Sequence, residues 1–123
     1  LMGNIYSSFQ MVHFEDIHKD GLLINTMNSN EQDCLIYNTI NMNEEVNLIN
    51  KYLKKDKSIH IIIYGKNYRD KNIIQKHNQL KKLGFQNVSI YFGGMFEWLM
   101  LQEIYGCEHF KTIGKTLDIL KYK

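Results

Sequence analysis

Gly65-Lys66-Asn67-Tyr68-Arg69-Asp70 is the stretch where chemistry would be sited, because it lies between an apolar, β-branched run, Ile59 to Tyr64, and an amphipathic one, Ile73 to Leu80. In an α/β protein the loop leaving such a strand is where a ligand site is usually built. A strand C-terminus behind, a helix N-terminus ahead and the cations Lys66 and Arg69 within are the parts of a cradle for a small anion. The alternative is a solvent-facing turn whose Lys66 and Arg69 do nothing specific. The loop holds no cysteine, serine or histidine, so it offers none of these side chains as a nucleophile for covalent catalysis.

Reactive side chains elsewhere are few. The two cysteines, Cys34 and Cys107, cannot make a disulfide framework or a four-cysteine zinc site, although one disulfide is formally open. Cys107-x-His109 is the one close thiol and imidazole pair, a spacing that is also common by chance. Cys34, at the edge of an apolar strand, reads as a small buried hydrophobe. His13, His18, His60, His77 and His109 form no HExxH and no i, i+4 metal pair. No GxGxxG, Walker loop or GxSxG is present, so no metal or cofactor is expected. Phe96, Trp98 and Tyr105 read as core residues before they read as a stacking platform.

At 123 residues the chain has room for one domain, and 44% hydrophobic and 12% aromatic content place it among globular proteins. The abundance of Asn, Ile, Lys and Tyr with no Pro suggests AT-rich coding, which weakens any argument from Asn or Lys number. A net charge of +2, from 15 basic and 13 acidic residues, is too small for a dedicated electrostatic nucleic-acid binder, so no nucleic-acid partner is expected. Lys54, Lys55 and Lys57, and again Lys81 and Lys82, fall at the C-terminal ends of expected helices, where they complement the helix dipole. With no signal peptide and no apolar run near ~18 residues, the expected setting is a reducing cytoplasm.

Leu1 reads as an addition ahead of the natural start, Met2. Met2-Gly3-Asn4-Ile5-Tyr6-Ser7 fits the N-myristoylation pattern, with Gly3 as the acylated residue and a membrane surface as the implied partner. One acyl chain binds membranes only marginally, on the order of 10⁴ M⁻¹, and no polybasic run supplies a second signal. Any anchoring would therefore be switchable or partner-dependent.

The positioning elements follow from periodicity. Val12-His13-Phe14 reads as a short edge strand feeding one helical turn over 15–19, and Leu22-Leu23-Ile24 as a buried strand ending at Asn25-Thr26-Met27. Cys34 to Met42 reads as a second extended segment after the polar loop 28–33. Asn43 would cap a helix with Val46, Ile49 and Leu53 on one face. Ile59 to Tyr64 suits a central parallel strand covered on both faces. Asp70 would cap a helix whose stripe is Ile73, Ile74, His77 and Leu80, with Gly84 as its stop. Val88 to Phe92 returns as a strand, Gly93-Gly94 permits a positive φ, and 96–105 forms a helix ended by Gly106. Ile113, Leu117 and Leu120 place a last helical segment over 112–123 against the sheet. Strands alternating with helices in this way imply βαβ crossovers and a mainly parallel sheet.

IHIIIYG, a short loop, a helix ending in LKKLGF and then QNVSIYFGGMFEW resemble the second half of a rhodanese-like domain. In that family a strand ending in Tyr-Cys enters the active-site loop, and Gly-Phe-x-Asn-Val and Gly-Gly-x-x-x-Trp follow. His13-Phe14-Glu15-Asp16, Leu22 to Met27 and Thr39-Ile40-Asn41-Met42 extend the likeness more weakly. Gly93-Gly94 with Trp98, at their distance from Gly84-Phe85, are its most specific part. The resemblance implies a rhodanese-like α/β domain over 12–123, preceded by a segment 1–11, with an about five-stranded sheet and helices on both faces. In active members it implies sulfur transfer through a cysteine persulfide. It puts Gly65 at the nucleophile's place, Asp70 where the loop's arginine usually stands, with Arg69 one place early, and Asn25-Thr26-Met27 where Asp-x-Arg is usual.

The expected function is a catalytically inactive rhodanese-like domain that binds or targets a protein partner the sequence does not identify, with a membrane tether through Gly3. One alternative is a sulfurtransferase or persulfide carrier using Cys107 or Cys34 displaced from the usual place. Another is binding of a small anion by Lys66, Asn67 and Arg69 without chemistry.

Overall fold

The computed structural model describes residues 9–17 and 20–123, so Gly3, the myristoylation pattern and His18 lie outside the described residues. In chain order the elements are β1 (Gln10–Met11), β2 (Leu22–Asn25), β3 (Leu35–Ile36), α1 (Glu45–Lys55), β4 (Ile61–Tyr64), α2 (Asn72–Leu83), β5 (Val88–Ile90), α3 (Gly94–Tyr105) and β6 (Thr112–Ile113). Short 3₁₀ turns stand at Phe14–Asp16, Ser29–Glu31 and Ile119–Tyr122.

All four residues of β4 are buried, which is why this strand takes the sheet's interior. The sheet runs β1-β5-β4-β2 with every neighbouring pair parallel, and β2 lies in register with β4 from Leu22 opposite Ile61 to Asn25 opposite Tyr64. The two-residue alternation of β4 divides the core. Ile61 and Ile63 join Ile24, Ile49, Ile73, Leu80, Phe85 and Ile90 beneath α1 and α2. Ile62 and Tyr64 join Leu23, Tyr91, Met95, Trp98, Leu99 and Tyr122 beneath α3. Helices thus cover both faces, and each buried isoleucine contributes about 1.5–3 kcal/mol relative to its exposed state.

The α/β class, the parallel sheet and the central place of β4 match the sequence reading, and three details differ. Among the described residues the sheet has four strands, against about five expected. The segment 34–42 is cut by Asn38, whose φ is +73°. Leu35–Ile36 pairs antiparallel with β6, and only Thr39 returns beside β2, as a one-residue parallel bridge to Leu23. The C-terminal helix is absent. Gly114 sits at φ +79° against the Asp33 carbonyl, and β3 claims the backbone of 112–113. Leu117 and Leu120 face solvent at 103% and 67% exposure, while Tyr122, unnoticed in the sequence, is fully buried. In α1 the inward face is carried by Ile49 with Tyr52 and Leu53 alone, and Val46 stays exposed.

Candidate functional site

Loop 65–70 follows β4 directly, and the start of α3 is pressed against it. The N–H groups of Met95 and Phe96 donate to the carbonyls of Gly65 (2.9 Å) and Lys66 (2.8 Å). This approach requires Gly94, whose φ is +67°. A Cβ there would lie 2.7 Å from the Gly65 carbonyl oxygen and 3.0 Å from the Asn67 nitrogen. The paired glycines of the sequence therefore have a physical role, and the first-turn donors of α3 are taken by the loop's own carbonyls.

Asp70 closes the loop from its other end. Its Oδ1 accepts the Asn72 N–H at 3.0 Å, which caps α2 as the sequence suggested. Its Oδ2 turns back over Gly65, accepting from the Lys66 N–H at 3.4 Å and the Thr26 hydroxyl at 3.2 Å. Gly65 is buried and is not in the left-handed region, so a side chain there is opposed by space and not by backbone angle. A Cβ on Gly65 would collide with Asp70 Oδ2 and sit 2.8 Å from Thr26 Oγ1. An internal carboxylate thus fills the space in front of the strand end.

The other loop residues are also engaged. Lys66 Nζ pairs with Glu31 Oε2, and the second Glu31 oxygen accepts the Asn28 N–H at 3.1 Å, tying the loop to the turn 28–31. Burial alone would raise the Glu31 carboxyl, but Lys66 and the Asn28 N–H outweigh it and hold the group below its ordinary value. Asn67 donates its amide to the Tyr122 carbonyl at 2.7 Å and accepts the Arg69 N–H at 2.8 Å. The Arg69 guanidinium lies 5.7 Å from the Tyr68 ring centre. Among the described residues it has no carboxylate partner.

Tyr64, the residue before Gly65, is buried and holds the outer layer in place. Its hydroxyl accepts the Ile36 N–H at 3.1 Å and lies 2.7 Å from Thr39 Oγ1, which itself donates to the Ile36 carbonyl at 2.6 Å. A threonine has one hydroxyl proton, so Tyr64 is the donor to Thr39 and all three groups are satisfied. Burial raises the Tyr64 phenol well above its ordinary value, so it serves as a neutral hydrogen-bonding post. Asn25, where Asp is usual in the resemblance, forms a paired amide contact with Gln32 at 3.0 and 2.8 Å and also accepts the Met27 N–H.

Two concavities flank the loop. One, of about 330 Å³, is bounded by Thr26, Glu31, Lys66, Arg69, Asp70 and Asn72 among others. The second, of about 590 Å³, runs along α3 between Tyr68, Arg69, Phe96 and Met100. Glu97 on its wall accepts the Tyr91 hydroxyl at 2.7 Å.

The cysteines are not brought to the loop. Cys34 is fully buried with its thiol 3.9 Å from the Gly114 carbonyl, and burial, aided by Asp33, raises its pKa. Cys107 is exposed and follows α3. The 12 residues of that helix place it about 18 Å from the helix start that touches the loop. Among the described residues no group of His, Cys, Asp and Glu could hold a metal, and no helix is long and apolar enough to cross a membrane. The reading from sequence missed Thr26 and Glu31, although Asn28-x-x-Glu31 has the spacing of a capping pair.

The rhodanese-like domain family model matches residues 12–101. A crystal structure of a Rhodanese_3-like domain from an Anabaena sp. protein is 25% identical, superposes with a TM-score of 0.52, and is covered over 98% of its chain by 76% of this one. A solution structure of the rhodanese-like domain from the same organism's protein gives a TM-score of 0.59 at 24% identity, with 85% of this chain and 79% of that one covered. A further crystal structure of that protein gives 0.56 at 24% identity, covering 87% of this chain and 89% of the other. No curated protein matches the chain. With its core strands, its glycine-bearing turn into α3 and the family match over residues 12–101, the chain belongs to the rhodanese-like domain family.

Proposed function

We propose that this rhodanese-like domain is a binding module that performs no sulfur transfer at its site loop. The observation that carries the reading is the Asp70 carboxylate lying over Gly65, where the family resemblance puts the nucleophile. A thiol at this place would need the space Asp70 fills, and the loop N–H that would steady a thiolate already serves that carboxylate. The burial of Cys34 and the distance of Cys107 from the loop speak against a displaced nucleophile. For a small anion, Lys66 and Asn67 are committed to Glu31 and Tyr122, which leaves Arg69 as the cation such a ligand would meet.

Intact-mass measurement after thiosulfate treatment tests the reading. No cysteine is expected to gain a sulfur atom. A stable adduct on Cys107 or Cys34, lost in the matching serine variant, would replace it with the sulfur-carrier alternative.

The sequence pattern at Met2 to Ser7 supports acylation of Gly3 and a reversible membrane contact, as one chain provides. Labelling with a myristate analogue in cells should mark the protein and spare Gly3→Ala; an unlabelled wild type would remove the tether.

A further inference from the structure

Beyond β6, residues 115–123 are joined to the rest of the domain by few contacts. Among the described residues their backbone pairs are internal, from the Lys121 N–H to the Asp118 carbonyl and from the Lys123 N–H to the Leu120 carbonyl. Two polar links cross to other parts of the fold. Asn67 donates its amide to the Tyr122 carbonyl at 2.7 Å, and Lys121 reaches Asp33 at 3.4 Å with both side chains well exposed. Surface ion pairs of that kind contribute little. Tyr122 is the one buried residue of the segment, with Ile119 partly covered beside it.

Tyr122 is therefore the plug that seats the segment, and its seat is imperfect. The ring is fully buried in the layer that holds Tyr64, Trp98 and Cys34, yet its hydroxyl has no hydrogen-bond partner among the described residues. Lys121, 5.1 Å from the ring centre, is turned to Asp33. A buried hydroxyl without a partner gives up its hydration for nothing, so a phenylalanine would seat the segment more firmly. The Cys34 thiol, fully buried 3.9 Å from the Gly114 carbonyl, lies close enough to the Tyr122 phenol to oppose its ionisation. The plug and the thiol thus adjoin.

Few contacts, internal backbone pairing and a single buried side chain are the marks of a segment that opens on its own while the core stays folded. We infer that residues 115–123 form a releasable strap: Tyr122 leaves its seat beneath α3 without unfolding of the domain, the Cys34 thiol is uncovered, and the Asn67 amide of the site loop is set free. Asn67 couples the strap to the loop, because its Oδ1 accepts the Arg69 N–H while its amide holds Tyr122. The device operates whether or not the loop binds a partner.

The test follows alkylation of the full chain by iodoacetamide, read at each cysteine by peptide mass, with the exposed Cys107 as internal reference. Cys34 should label slowly under native conditions, at a rate that barely rises in dilute urea. Tyr122→Phe should slow it on the order of tenfold by removing the unsatisfied hydroxyl, and Asn67→Ala should speed it about fivefold by removing one hydrogen bond. Ile73→Val, in the core on the other face of the sheet, should lower the melting temperature and leave Cys34 labelling unchanged. Cooperative melting of each variant will show that it folds. A Cys34 rate that follows global stability, rising in Ile73→Val and steeply with urea, would overturn the inference, as would a Cys34 that never labels while Cys107 does. Faster labelling in Tyr122→Phe would overturn the role given to the hydroxyl, and an unchanged rate in Asn67→Ala the coupling to the site loop.

Discussion

Asp70 uses one carboxylate for two tasks, capping α2 with one oxygen and covering Gly65 with the other. The two residues should therefore be energetically coupled. Gly65→Cys alone is expected to destabilise the fold by about 1–3 kcal/mol through overpacking. Asp70→Ala alone should cost about 0.5–2 kcal/mol through the lost cap. In the double variant the thiol enters the space the carboxylate leaves, so its destabilisation should fall short of the sum, as measured by urea unfolding. Strict additivity would show that Asp70 does not block the position. From sequence the absence of a nucleophile in loop 65–70 was readable, because it needs only residue identity. The filling of that place by Asp70 and Thr26 was not readable. It depends on a side chain turning back across the loop and on a strand distant in sequence, and no local pattern encodes either.

At the scale of elements, the loop is held between two clamps, Gly94 from α3 and Glu31 from the turn 28–31. Gly94→Ala places a Cβ against backbone atoms of residues 65–67 in a left-handed conformation. It should cost about 1–3 kcal/mol, seen as a lower melting temperature with loop amide signals displaced. The Glu31 clamp is pH-dependent. Its folded pKa is lowered, so its contribution is complete above the ordinary glutamate value of about 4.3 and is lost as pH falls through the folded value. The stability difference between wild type and Glu31→Gln, followed by thermal melting, should shrink below that pH and be constant above it; a difference that grows on acidification would contradict the assignment. β4 was legible as a continuous apolar run, α2 from its repeating buried stripe, and α3 from the glycines that bound it. The segment 112–123 was misread because Ile113, Leu117 and Leu120 imitate a helical stripe. Gly114 and the pairing with β3 override that local spacing.

Across the whole molecule, the family's fold is kept while the residues at its site are turned inward. The strands, the glycine-mediated approach of α3 and the buried Trp98 build the scaffold of this chain. The loop's polar groups, by contrast, pair mostly with one another and with Glu31, Thr26 and Tyr122, leaving Arg69 and the apolar groove facing solvent. The proposed binding role rests on this arrangement of the loop, since the fold alone does not decide between binding and turnover. The central claim is tested most directly by assaying the purified chain for thiosulfate-to-cyanide sulfur transfer. Thiocyanate should form no faster than with heat-denatured protein, in the wild type and in Cys34→Ser and Cys107→Ser alike. Turnover by the wild type that one of the two serine variants abolishes would contradict the account and make the domain an enzyme.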